Sequence, residues 1–332
     1  MCTLESMKKV LFKSLLLLTS LQLDAENLEL QSMQFRTEND GDFRTDRAYT
    51  YGSDISVLFY RDDCAKDFLA IPFSNNFNAS ENYISFSYAQ QIYTPNDIES
   101  TELVVDDRPY AGYMYLEMGL YQSYKNELSS LIFQIGMIGP STRMESVQKF
   151  VHGLIGSPTP EGWDHQLGDE MTIQINYNHK KYSDTTDYFD HSSALITNYG
   201  FDLGNVSTKI YGGALFRYGK NVQKDYGSYV MSNGNYNHIP LKHGNYVTNK
   251  WSYSFNLSFE ANLIGRNIFL DGNTFKDSHS VDKNYLTLQA GYGFSLNYKN
   301  FSFNYLRRHT TKEFKGQNYY TSYGSFIFAY NY

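Results

Sequence analysis

The residues best suited to chemistry sit where the pattern of the chain changes. Residues 143–155 have helical spacing: Thr142 and Glu145 form a T-x-x-E capping box, and Gly156 supplies a stop. Val147, Val151 and Leu154 share one face of this predicted helix, while Gln148 and His152, four residues apart, share another. A neutral imidazole can take a proton from water near neutral pH, and an amide one turn earlier can orient that water or a bound molecule. The plain alternative is a solvated helix surface with an ordinary Gln and His.

A second group is Asn39-Asp40 with Thr50-Tyr51-Gly52. Calcium takes roughly six to eight oxygen ligands, mixing carboxylate, amide and carbonyl donors. Asp40 would supply the charge, Asn39 a neutral oxygen, and a carbonyl between Thr50 and Gly52 could complete the shell across the hairpin. Asn-Asp-Gly at 39–41 is also a good turn sequence. Arg108 has a planar fork suited to a phosphate or carboxylate; the alternative is a buried structural pair with Asp106 or Asp107. Trp163 reads as a packing anchor for its loop, with a place in an apolar groove as the other option. Of the two cysteines, Cys2 lies in a segment expected to be removed, which leaves Cys64 as an inert thiol and no internal disulfide. A serine nucleophile beside His152 would have to be Ser146 or Ser157.

The elements that must position these groups have a period of two. Met114, Leu116, Met118 and Leu120 alternate with Tyr113, Tyr115, Glu117 and Gly119; at the C-terminus Phe326, Phe328, Tyr330 and Tyr332 share one face, and Ser325, Ile327, Ala329 and Asn331 the other. Strands are expected at 28–40, 50–60, 82–94, 110–123, 128–138, 167–182, 192–202, 206–218, 249–264, 283–297, 300–310 and 318–332. Such lengths suit spanning a bilayer, at ~9–11 residues, better than the soluble average of ~5–6. Aromatics make up 17%, with 31 Tyr and 23 Phe against 7 Pro, which favours strands and lipid–water boundaries. A mean hydropathy of −0.50 is what alternating strands average to. The fold expected is an all-β transmembrane antiparallel β-barrel of about twelve strands over residues 26–332, with a short helix in an extracellular loop.

Residues 1–25 read as a signal peptide whose working part begins near Met7. Lys8, Lys9 and Lys13 are basic, Val10 to Phe12 and Leu15 to Leu18 form a short apolar core, and Ala25 is a cleavage position. That core is shorter than the ~20 residues a spanning helix needs. With both termini in the periplasm, the connections 41–49, 95–109, 139–166, 265–282 and 311–317 are extracellular. Segments 61–81 and 219–248 then fall on the periplasmic side and are too long for turns: either the strand breaks around 183–218 are misplaced, or the insertions are real. A net charge of −7 argues against a nucleic-acid partner.

Several motifs, in order on this scaffold, resemble the lipid A 3'-O-deacylase family. They are Asn39-Asp40, Tyr49-Thr50-Tyr51-Gly52, Asp107-Arg108-Pro109-Tyr110-Ala111-Gly112, and Ile138-Gly139-Pro140 followed by Gln148-x-x-x-His152 and Gly162-Trp163. The resemblance runs from about residue 30 to the C-terminus and is densest over 36–170. It implies a calcium-dependent outer-membrane barrel that hydrolyses the ester holding the acyloxyacyl group at the 3' position of lipid A, and so a lipopolysaccharide substrate. It also implies His152 as general base, with Gln148, Asn39 and Thr50 as catalytic companions. Asp40, Thr50 and Gly52 would form the calcium site, and Arg108 a substrate contact. Calcium there would stabilise the oxyanion, so no Ser is required. The acyl ester would enter laterally from the outer leaflet, between the barrel wall and the helix. Some members carry basic residues where 97–101 here read Asp-Ile-Glu-Ser-Thr, so substrate contacts made by Lys or Arg there would be missing. The alternatives are an outer-membrane phospholipase with a Ser nucleophile, and a passive porin or adhesin. A monomer is expected.

Overall fold

The computed structural model describes residues 28–40, 46–61, 81–188, 191–228, 230–231, 239–243 and 248–332. The expected signal peptide, Cys2 and Cys64 lie outside them. The strands are β1 (Leu28–Asn39), β2 (Ala48–Arg61), β3 (Glu81–Thr94), β4 (Ala111–Tyr124), β5 (Glu127–Ile138), β6 (Glu170–Tyr188), β7 (His191–Gly204), β8 (Ser207–Lys220), β9 (Thr248–Asn267), β10 (Leu286–Lys299), β11 (Phe301–Thr310) and β12 (Thr321–Asn331). Each pairs antiparallel with its neighbours in sequence, and β12 returns to β1, closing a twelve-stranded barrel. All twelve expected strands are present. The largest shift is in β6, which starts and ends later than expected.

Alternation explains the closure. On β10, Leu286, Leu288, Tyr292, Phe294 and Leu296 are exposed, while Thr287, Ser295 and Asn297 are buried. On β6 and β9, Ile173 and Phe259 point out, and Asn176, Asn178 and Glu260 point in. An apolar wall of this extent suits hydrocarbon, not water, where patches rarely exceed a few hundred Å². In hydrocarbon every strand edge must be paired, which closure achieves. At the rim carrying the termini, Trp251 stacks on Tyr298 and Tyr330 packs against Tyr332 and Phe301, as expected of an interfacial girdle. The aromatics that the period of two puts on one face of the last strand lie outside, with Phe328, Tyr330 and Tyr332 exposed.

Side chains occupy most of the lumen, leaving a polar cavity lined by Gln91, Gln134, Gln174, Asn176 and Asn262. Arg36–Asp54 at 2.5 Å and Arg308–Glu260 at 3.0 Å pair charges across strands, as buried charges must be. The strand breaks around 183–218 hold, so 219–248 is a real insertion on the termini side, and part of it enters the barrel. Tyr226 and Ile239 join a buried apolar layer with Leu58, Tyr83, Tyr121 and Leu215. The Asp225 carboxylate accepts from Arg217 at 2.7 Å, and the Tyr226 hydroxyl donates to the Glu127 carbonyl at 2.9 Å. Further in, the Met231 N–H donates to Glu38 at 2.8 Å, and Val230 packs with Tyr49, Leu306 and Tyr323. The counterpart insertion at 61–81 lies almost wholly outside the described residues.

The opposite rim carries Asp40, residues 46–47 and the segments 95–110, 139–169, 205–206, 268–285 and 311–320. Two short helices lie there, α1 (Met144–Ile155) and α2 (Ile268–Asp271).

A barrel plugged in this way should not conduct. In planar bilayers the intact chain is expected to be silent, and a variant with 224–243 replaced by a short turn should open. Steady porin-like conductance from the intact chain would contradict the plug.

Candidate active site

Helix α1 is delivered by a tight exit from β5. Gly139 has φ of 109°, and a Cβ there would lie 2.6 Å from the Asp169 nitrogen, so the bend requires glycine. Pro140 opens a 3₁₀ turn over Pro140–Thr142, and Arg143 takes a left-handed conformation as N-cap. The expected capping box does not form. The Thr142 hydroxyl donates instead to the Gly139 carbonyl at 2.7 Å, and Glu145 pairs with Lys149 at 2.9 Å. The stop at Gly156 is as expected, with φ of 71°. The start of the helix docks on β4 over Gly112, where a Cβ would be 2.3 Å from the Thr142 hydroxyl and 2.7 Å from Met144.

The buried stripe of α1 is Met144, Gln148 and His152. Met144 packs with Ile92, Ile98, Tyr110 and Trp163, with Val147 at the edge. The opposite face is apolar and open: Phe150 is 67% exposed, Val151 43%, Leu154 70% and Ile155 68%. The shared face expected for Val147, Val151 and Leu154 is therefore turned outward over most of its length.

Both polar groups of the stripe are held. The Trp163 indole, a donor only, donates to Gln148 Oε1 at 2.9 Å. This fixes the amide orientation, and Gln148 Nε2 is buried with no hydrogen-bond partner among the described residues. Trp163 is thus both the packing anchor expected and an orienting group. His152 Nδ1 lies 2.5 Å from the Pro158 carbonyl, which can only accept, so Nδ1 carries the hydrogen and Nε2 is the basic nitrogen. Nε2 faces Asp46 Oδ1 at 3.4 Å. Burial pushes the Asp46 carboxyl above its ordinary range, and the neighbouring His152 offsets part of this.

Asp46 and Thr94 were not among the sequence candidates. Both belong to the rim around Asn39 and Asp40. The Thr50 carbonyl accepts from Asn39 Nδ2 at 3.1 Å and from the Asp40 N–H at 3.3 Å. Asp40 Oδ2 accepts from the Arg47 N–H at 2.7 Å. Thr94 donates to the Asp46 carbonyl at 3.3 Å, which leaves the Thr50 hydroxyl to donate to Thr94 at 2.7 Å. The rim thus gathers Asp40, Asp46, Thr50 and Thr94, all oxygen donors. Among the described residues no three His, Cys, Asp or Glu side chains gather at metal-binding spacing. Any cation here would have to take carbonyl and hydroxyl oxygens as well, a mixture typical of calcium. Gly52 sits one step lower, opposite Glu38, where its missing side chain makes room for the Tyr49 phenol.

The expectation for Arg108 is corrected. It is 1% exposed and paired with Glu313 at 2.7 Å, so its fork is not offered to a headgroup. This is the structural alternative, with Glu313 as partner in place of Asp106 or Asp107. Asp107 accepts from the Tyr319 hydroxyl at 3.1 Å and from the Asn96 N–H at 2.8 Å. Together these contacts tie segment 95–110 to 311–320.

The model of the family described as outer membrane protein LpxR matches residues 11–332. The chain belongs to the LpxR family. This is the lipid A 3'-O-deacylase family that the motifs resemble, and it makes the chain an integral outer-membrane protein. Among solved structures the chain is similar to LpxR from Salmonella typhimurium, with 17% identity and a TM-score of 0.71 over 91% of this chain and 100% of that one. That likeness extends the LpxR fold to this sequence. Two autotransporter domains align at lower TM-scores. The Bordetella BrkA β domain has 10% identity and 0.44 over 92% of this chain and 100% of that one. The Neisseria meningitidis NalP translocator domain has 10% identity and 0.42 over 99% and 96%. No curated protein matches.

Gly112→Val should undock α1 while leaving the barrel closed. The added methyls would cost about 1–3 kcal/mol of overpacking. Limited proteolysis within 139–169 should accelerate, with unchanged heat-modifiable migration of the barrel. Protection equal to wild type would refute this docking.

Proposed function

We propose that the protein is a calcium-dependent hydrolase that removes the 3'-linked acyloxyacyl group of lipid A in the outer leaflet, using a water activated by His152. The carrying observation is the buried His152, with Nδ1 committed to the Pro158 carbonyl and Nε2 turned to Asp46 at the Asp40 rim.

The water gives its proton to His152 Nε2 as its oxygen attacks the ester carbonyl carbon. Asp46 stabilises the imidazolium that forms. When the ester C–O bond breaks, the same proton passes to the departing sugar oxygen. Gln148 Nε2, oriented by Trp163, can donate to the water or to the carbonyl oxygen. The oxygen set of Asp40, Asp46, Thr50 and Thr94, with the backbone of Thr50 to Gly52, suits a hard divalent cation. A bound calcium would polarise the ester carbonyl and stabilise the oxyanion. Asn39 holds the Thr50 carbonyl in place.

The exposed apolar face of α1 supports lateral entry. A helix with Phe150, Val151, Leu154 and Ile155 open rests in the leaflet boundary and shelters Gln148 and His152 against the wall. The phospholipase alternative is less favoured, because among the described residues neither Ser146 nor Ser157 bonds the His152 ring with its hydroxyl; the ring meets only Pro158 and Asp46. The passive-porin alternative is disfavoured by the plugged lumen.

Mass spectrometry of lipid A from cells with and without the chain is the direct test. His152→Ala should lower the rate by roughly 10²–10⁴, the worth of a general base, with the barrel still heat-modifiable. Wild-type deacylation in that variant would remove His152 from the mechanism. Asp46→Asn should cost about tenfold or more, the scale of groups that support a catalytic side chain; unchanged turnover would assign Asp46 to the loop alone. EDTA should stop the reaction and added Ca²⁺ restore it, and turnover indifferent to EDTA would remove the metal.

A further inference from the structure

Outside the site just described, the outer rim holds a second groove. It lies between Arg47 and the connection from β11 to β12, with a volume of about 900 Å³ and lining residues that include Asn96, His309, Asn318 and Ser322. This is the size range of small-ligand sites, roughly 300–1,000 Å³. No carboxylate is among its lining residues.

Arg47 is built into this groove. Its guanidinium lies 4.5 Å over the Tyr319 ring and donates to Asn96 Oδ1 at 2.9 Å. It forms no ion pair with any described residue, unlike Arg36, Arg108, Arg217 and Arg308, each of which has a carboxylate partner. An aromatic floor and one amide contact hold the fork while leaving most of its donors uncommitted, an arrangement suited to a phosphate. Across the groove, His309 Nδ1 and the Ser322 hydroxyl meet at 2.7 Å, and Asn318 is exposed. Elsewhere on this rim, 97–106 carries Asp97, Glu99, Glu102 and Asp106, and Arg108 is committed to Glu313.

The groove is coupled to the candidate active site by chain continuity. Arg47 follows Asp46, and the two side chains diverge, Asp46 toward His152 and Arg47 toward the β11–β12 connection. The Arg47 N–H is tied to Asp40, which sets the origin of the side chain.

We propose that the Arg47 groove binds a phosphate group of the glycolipid whose ester lies at His152. This rests on the lipid A reading and adds a specificity site to it: phosphorylated lipid A would be favoured over its dephosphorylated form. The charge of the groove, not apolar contact, makes the choice.

The test uses the full-length barrel in mixed detergent micelles with two probes, lipid A bearing its phosphates and the same lipid dephosphorylated. Both deacylation and binding are measured. Wild type should favour the phosphorylated lipid about tenfold or more, the scale of a charge-assisted contact. Arg47→Gln should bring that ratio close to one, mainly by slowing the phosphorylated substrate. Asn318→Asp, an exposed change that adds a repelling charge, should lower the same ratio without touching the Asp40 tie. Equal slowing of both lipids by Arg47→Gln would make Arg47 only a support for Asp40 and overturn the proposal. So would a wild-type ratio of one, with deacylation itself left standing. Loss of the preference in equimolar inorganic phosphate would reassign the groove to the free anion. If neither lipid is deacylated, the lipid A hydrolase reading fails, and binding decides for the groove: preference for the phosphorylated lipid, lost in Arg47→Gln, supports it, and equal or absent binding overturns it.

Discussion

The pairing of β1 with β12 is the constraint on which the rest depends. Hydrocarbon leaves no water to satisfy a bare N–H or C=O, so the sheet must run round until its first and last strands meet. Asn39 pairs with Gly324 at the top of this seam. Asp40 therefore leaves the sheet at the rim, where Asp46 and Arg47 lead into β2. Ala48 pairs with Thr94 on the far side of β2, which brings Thr94 against Thr50 and the Asp46 carbonyl. The oxygen-rich rim is a by-product of closure and register.

Closure also decides where chemistry can occur. The lumen is taken up by cross-strand ion pairs and by the inserted segment around Tyr226 and Met231. The candidate site lies instead on the outer wall at the rim, where α1 leans on β4 across Gly112. Here the usual amphipathic rule inverts. In water a helix buries its apolar face. Beside a membrane it can shelter Gln148 and His152 against the wall and turn Phe150, Val151, Leu154 and Ile155 to lipid.

That inversion marks a limit of sequence periodicity. The spacing of Gln148 and His152 placed them on one face, and the structure agrees. Periodicity cannot say which face is buried, because that depends on whether the neighbour is water, protein or lipid. The capping box failed for a related reason: Thr142 had a closer acceptor at Gly139 once Pro140 opened a turn, the local competition common for Ser and Thr. The partner of Arg108 was out of reach altogether, since Glu313 lies 205 residues away. Asp46 belongs to no motif in the sequence, and only the fold sets its carboxylate 3.4 Å from His152.

Strand class, strand number and the grouping of the β12 aromatics on one face were determined by the sequence alone, because a period of two is a local property of each strand. The helix and its Gln–His spacing were likewise local. Tertiary structure alone decided the rest: that Nδ1 of His152 is committed to Pro158 while Nε2 faces Asp46, that Trp163 orients Gln148, that Arg108 is structural, and that Tyr226, Val230, Met231 and Ile239 pack inside the barrel. Each joins groups distant in sequence or chooses between faces, and only the closed sheet brings those groups within reach.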